Sequence, residues 1–370
     1  MFFSSRDRKQ LSYLALLGML FLVCALAISS PTQAQEDPPY IGDIRIFDLD
    51  FPMPHAAGLA FSPLANIFLV LADPSSGQPG GELDNLTMIS PFEDLIGSAN
   101  LPTIANPINI AFDSKVNRLL LFDTASQELI AIESDPDGFV DPAVMSGFEA
   151  QQFGVQNPQG MTFDPVSGAL FILSEANSQI VWIKPDAQGS FDGAAALAEG
   201  RISQIDLSGL GLGVLRGLAF NPTDRHLYVM NPVQLKLYEI SETGQLVATR
   251  DMSVLDLGFR DPQGIAFAPS ADLTDDPVQM HLFLMDSGLG PLSTNPRRKA
   301  QLCLPLSIVP SQDDGSSASQ SPTPGANEGR QAEQGPGRII EFTLTRPVEL
   351  LHRQGEANIR YHSPGRITIK

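Results

Sequence analysis

The feature that most restricts the fold is a unit that occurs five times along the chain. Its clearest copy is NPQGMTFDPVSGALFILSE, residues 157–175. Asn157-Pro158-Gln159-Gly160 is turn chemistry. Met161-Thr162-Phe163 alternates in the manner of a half-buried strand. Asp164-Pro165-Val166-Ser167-Gly168 turns again, and residues 169–173 form a continuous apolar run ending in Ser174 and Glu175. Corresponding runs begin at His55, Asn106, Val214 and Asp261. The matching positions Gly58, Asn109, Gly160, Gly217 and Gly264 are 51, 51, 57 and 47 residues apart. A period near fifty, with several short strands per unit and no convincing amphipathic helix, predicts an all-β chain folded as a β-propeller. β-Solenoids run on much shorter periods.

A third strand follows the pair in most units, at residues 128–132, 179–183 and 235–240. In the fifth unit it is delayed to residues 338–344, behind an insertion at 287–337. The second half of that insertion is rich in Ser, Gln, Gly, Pro and acidic residues. It is too polar to bury an apolar face, and the expectation is a disordered loop. Without the insertion, the chain has material for nearly six units. The expected architecture is therefore six blades with five recognisable repeats. The run 358–370 and the early strand at 44–49 are expected to share the sixth blade and close the ring, removing exposed strand edges.

Residues 1–34 are read as a secretory signal peptide, with Arg6, Arg8 and Lys9 ahead of an uncharged apolar stretch at 11–28 and a small-residue cleavage site at Thr32-Gln33-Ala34. The expected product is one propeller domain over residues 35–370, exported to the periplasm or outside the cell, with no transmembrane segment once the leader is removed. An uncleaved membrane anchor is the alternative. Cys24 lies in the leader, so Cys303 alone remains and no intramolecular disulfide can form. Loss of the leader moves the net charge from −19 to −21. A chain this acidic is repelled by nucleic acid and by anionic membranes.

Two parts of the repeat have a ready physical reading. Gly and Asn tolerate positive φ best, which would account for their alternation at the glycine position; close packing of inner strands is the other explanation. Phe61, Phe112, Phe163, Phe220 and Phe267 recur at one place in the unit and are expected to pack between neighbouring blades as core, each contributing about 1.5–3 kcal/mol.

The pattern P-x-G-(hydrophobic)-A-F-(D/N)-P, followed by an apolar strand ending in Asp, resembles the repeats of the NHL and TolB-like six-bladed propellers. That group includes gluconolactonases, regucalcin-type lactonases and SdiA-regulated proteins. The resemblance spans residues 43–344 and speaks for architecture more than activity, because the fold hosts scaffolds and enzymes alike. In the calcium-dependent lactonases of the group, metal ligands commonly sit directly before the repeat glycine, as Asn or Asp. Here those positions hold Ala57, Ile108, Gln159, Arg216 and Gln263. Calcium takes six to eight oxygen ligands, usually several of them carboxylates, so the expectation is no metal ligand in the channel and no cofactor.

The strand ends carry Asp73, Asp123, Glu175, Asn231 and Asp286. Such residues cap turns, but in equivalent blades they also approach one rim. The candidate ligand-binding set is accordingly Gln159, Arg216, Gln263, Asp123, Glu175 and Asp286. No nucleophile elbow, phosphate loop or dinucleotide fingerprint is present, and no catalytic residue is nominated. The functional expectation is a non-catalytic binding or interaction module for a small molecule or protein. A lactonase- or phytase-like hydrolase with a displaced site, and a structural surface protein, are the alternatives.

Overall fold

The computed structural model describes residues 40–49, 56–72, 86–101, 104, 107–276, 278–287, 337–345, 359–361 and 367–369. The proposed leader, most of the 287–337 insertion and Asp73 lie outside them. The described chain forms five four-stranded antiparallel sheets arranged as the blades of a propeller.

Blade 1 runs from the inside outward as Ala56–Ser62, Ile67–Ala72, Leu86–Ile89 and Leu95–Ala99. Blade 2 follows with Pro107–Asp113, Arg118–Asp123, Glu128–Ser134 and Val140–Glu149. Blade 3 contains Pro158–Phe163, Leu170–Ser174, Gln179–Ile183 and Ile202–Asp206; a short helix, Gly193–Ala198, precedes its last strand. Asp192 caps that helix by accepting the Ala195 N–H at 2.8 Å. Blade 4 is Arg216–Asn221, His226–Asn231, Lys236–Ile240 and Leu246–Asp251. Blade 5 takes Pro262–Pro269, Met280–Asp286 and Arg338–Thr345 from its own stretch of chain, and its outer strand is Tyr40–Asp48 from the beginning.

This arrangement corrects the expected six blades. The early strand pairs with Arg338–Thr345, from Ile44↔Phe342 to Asp48↔Arg338, and so completes the fifth blade. Strands Ile359–Tyr361 and Ile367–Ile369 pair with one another as a separate two-stranded sheet. A sixth blade does not occur among the described residues. The inner strand of blade 5 packs directly on that of blade 1, so the ring closes at five.

Five apolar clusters hold the ring, one at each interface between successive blades. The repeated phenylalanines lie in them as expected. Phe163 joins blade 2 residues such as Phe122, and Phe220 stacks on Phe171 of blade 3 with centroids 5.7 Å apart.

Both explanations of the glycine position hold, close packing in three blades and positive φ in two. Gly58, Gly160 and Gly264 do not have positive φ. A Cβ on Gly160 would lie 2.5 Å from the Leu218 nitrogen, on Gly264 2.5 Å from that of Leu59, and on Gly58 2.8 Å from that of Ile110. Inner strands approach too closely for any side chain there. The left-handed conformation accounts for the other two, Asn109 at φ 60° and Gly217 at φ 65°. Asn109 also bridges blades by donating from Nδ2 to the Pro158 carbonyl at 3.1 Å.

Candidate functional site

Pairing between the inner and second strands slips beside the glycine position in every blade. The irregularity falls between Ala56 and Gly58, Ile108 and Ile110, Pro158 and Gly160, Arg216 and Leu218, and Pro262 and Ile265. A bulge leaves a residue outside the ladder and re-aims the neighbouring side chains. Here it recurs at the same end of all five inner strands, and so at one mouth of the channel.

At that mouth Arg216 and Gln263, from adjacent blades, come together. The Arg216 Nη1 donates to Gln263 Oε1 at 3.0 Å and lies 3.7 Å from Asp261 Oδ1. Gln263 Nε2 donates to the same Asp261 oxygen at 2.5 Å, and the Ser287 hydroxyl donates to Asp261 Oδ2 at 3.2 Å. The Arg216 side chain remains 37% exposed. Gln159 spends its bond within blade 3, donating to Asn157 Oδ1 at 2.9 Å. Asn157 in turn donates to Glu175 Oε2 at 3.0 Å, so Gln159 and Glu175 belong to one chain of bonds. Ile108 is half-buried and apolar.

The remaining strand-end residues are held in backbone capping. Asp123 is buried and accepts the Ala125 N–H at 3.1 Å and the Ser126 hydroxyl at 3.0 Å. Asn231 accepts the N–H groups of Val233 and Gln234. Asp286 has no exposed surface. It accepts the Asp261 N–H at 2.7 Å and is gripped by Arg338 through Nε at 3.1 Å and Nη2 at 2.8 Å. Asp286 thus shapes the rim from below by holding the backbone of Asp261.

No family model matches the chain, and no curated protein matches it. Among solved structures it is similar to a chain of a nidogen/laminin complex, 14% identical, with a TM-score of 0.39 over 62% of this chain and 72% of that one. A putative phosphatase from Bacteroides thetaiotaomicron is 16% identical, with a TM-score of 0.40 over 65% of this chain; the match spans 58% of that protein. A luciferin-regenerating enzyme is 10% identical, with a TM-score of 0.42 over 81% of this chain and 95% of that one. Likenesses this distant say nothing of activity or ligand.

Asp261, Asn157 and Ser287 are rim residues that the sequence reading passed over. The first two did leave a signal. Asn157-Pro158-Gln159-Gly160 and Asp261-Pro262-Gln263-Gly264 are the same motif, and in both the first residue fixes the amide of the third. The opposite mouth differs in character. It opens on a cavity of about 110 Å³ whose walls include Leu59, Met161, Ile265, Phe163, Phe220 and Phe267. One end of the channel is therefore apolar, and the other presents amides, carboxylates and one guanidinium.

Proposed function

We propose that the protein is an exported binding module of the NHL/TolB-like kind, without catalysis of its own, whose ligand presents a carboxylate or phosphate group to Arg216. The observation that carries this reading is the posture of that arginine. Its contacts with Gln263 and Asp261 are both made through Nη1, and over a third of the side chain faces solvent. The edge of the fork formed by Nε and Nη2 is the shape that takes an anionic group in two parallel bonds. Gln263 fixes the fork from one side, which lowers the ordering cost when a ligand arrives.

The donor set at the same rim argues against a calcium lactonase. Ile108, Gln159, Arg216 and Gln263 supply no carboxylate, and Asp261 is already shared among Arg216, Gln263 and Ser287. A divalent ion would also sit against a permanent positive charge.

The test is a panel of carboxylate and phosphate compounds, read by thermal shift and then by calorimetry. Arg216→Ala should weaken a hit about 10- to 100-fold, the worth of one or two charge-assisted bonds. Arg216→Lys should restore only part of it, because an ammonium cannot form the fork. Affinity unchanged in Arg216→Ala, or lactone hydrolysis that chelation abolishes, would overturn the reading.

A further inference from the structure

Blades 4 and 5 repeat one device. In blade 4, His226 Nδ1 lies 2.7 Å from Glu239 Oε1, and Arg250 from the outer strand holds Glu239 Oε2 at 2.9 Å. In blade 5, His281 Nδ1 lies 2.7 Å from Glu341 Oε1, and Arg45, again from the outer strand, holds Glu341 Oε2 at 3.1 Å. The His–Glu–Arg relay ties three strands together, and in blade 5 it does so as a buried structural clasp: His281 is 6% exposed and Glu341 3%.

Blade 4 adds two things. Asp224, in the turn before His226, brings a second carboxylate to the pair, so that ligand atoms of Asp224, His226 and Glu239 all lie within 4.8 Å of one another. Among the described residues this is the one such trio. His226 is also 21% exposed, which opens the cluster to solvent. In the corresponding loop of blade 5, Asp272 pairs with Arg45 instead.

The surroundings hold the trio in place. Asp224 Oδ2 accepts the Tyr228 hydroxyl at 2.7 Å and the Asn221 amide at 3.0 Å. Arg250 is 2% exposed, aims Nη2 into the cluster and leaves its Nε and Nη1 without partners. Such a guanidinium is placed for the sake of Glu239 and whatever Glu239 serves. Partners of this kind, one shell out from a ligating carboxylate, orient it and tune its affinity.

We propose that Asp224, His226 and Glu239 form a binding site for a first-row divalent transition ion such as Zn²⁺, at the edge of blade 4 and separate from the channel. One imidazole and two carboxylates suit that class of ion, with water completing a four-coordinate shell. Calcium, which takes six to eight oxygens, is poorly served by three residues. Binding at Nδ1 places the ring hydrogen on Nε2, and the metal replaces the His226–Glu239 bond.

The test uses the full chain, stripped with a chelator and titrated with Zn²⁺ in a calorimeter. One equivalent is expected. Asp224→Asn keeps the shape of the turn and should weaken binding at least tenfold, whereas His281→Gln, in the metal-free twin, should leave it unchanged. Absence of Zn²⁺ binding, equal binding by Asp224→Asn, or equal loss in His281→Gln would each overturn the proposal. X-ray absorption on the zinc-loaded native protein decides the matter without any variant. A shell of one imidazole and oxygens supports the site, and a sulfur or a second imidazole refutes it.

Discussion

At the scale of single residues, the glycines and the buried carboxylates set the sharpest expectations. Gly160→Ala would press a methyl group against the backbone nitrogen of Leu218, 2.5 Å away, and backbone cannot rotate aside. Overpacking of this sort costs about 1–3 kcal/mol, to be read as a lower urea midpoint. Gly209→Ala, with nothing within 4 Å, should leave the midpoint in place. Asp164 adds a pH dependence. Burial works to raise its pKa, but the Ser167 hydroxyl, the Val166 N–H and Arg225 outweigh it and hold the group below the ordinary carboxylate range. Its stabilising effect is thus full above about pH 4 and is lost as pH falls through the lowered folded value. Acid denaturation of Asp164→Asn should be less steep than that of the native chain. The phenylalanine ring was legible in the sequence because the residue recurs at the same place in every unit. The cause of the glycines was not, because the atom that crowds each one belongs to the neighbouring blade: Ile110 for Gly58, Leu218 for Gly160 and, across the ring closure, Leu59 for Gly264. Likewise the acidic strand ends were visible, but only the fold shows that Asp123 and Asp286 are turned into backbone while Arg216 and Gln263 meet.

At the scale of elements, the outer strands decided the differences. Residues 95–99 and 246–251 bury almost nothing. Without an apolar run they carry no periodic signal, so the sequence showed three strands per unit where the protein has four. The strand Tyr40–Asp48 was recognised as a strand, but its partner lies at the far end of the chain, and no local pattern announces such pairing. Its grip is partly ionic: Arg45 bridges Glu341 at 3.1 Å and Asp272 at 3.0 Å. Glu341→Ala would strand a nearly buried histidine and remove one of the two carboxylate partners of Arg45. Breaking a buried pair by taking one member costs about 3–5 kcal/mol. The larger loss should fall on Glu341→Ala and the smaller on Glu341→Gln, measured by chemical denaturation. Equal stability of both variants with the native chain would show that the clasp contributes nothing.

At the scale of the whole molecule, five repeats made the propeller legible, whereas the count of blades depended on where leftover chain goes. An accounting by length assigned the early strand to a sixth blade; hydrogen bonding assigns it to the fifth. Each of the five interfaces has its own apolar cluster, so no blade has a core independent of its neighbours. The net charge of −19 and the pI near 4.5 belong to this scale too. Solubility should reach its minimum close to pH 4.5, where self-repulsion vanishes, and light scattering across a pH series would locate it.

The outer position of Tyr40–Asp48 also sets an order of events during synthesis. Arg45 and Glu341 are 296 residues apart in the chain. Blades 1 to 4 draw all their strands from consecutive stretches and can pair as they leave the ribosome. Strand Tyr40–Asp48 must wait for its partner until Arg338–Thr345 has been translated. Completion of blade 5 is then a single late step whose delay is the time needed to make the residues between the two strands, at roughly 5–20 residues per second. Until that moment the chain is an open arc with an unpaired edge, accessible to chaperones and to any machinery that requires an unfolded substrate.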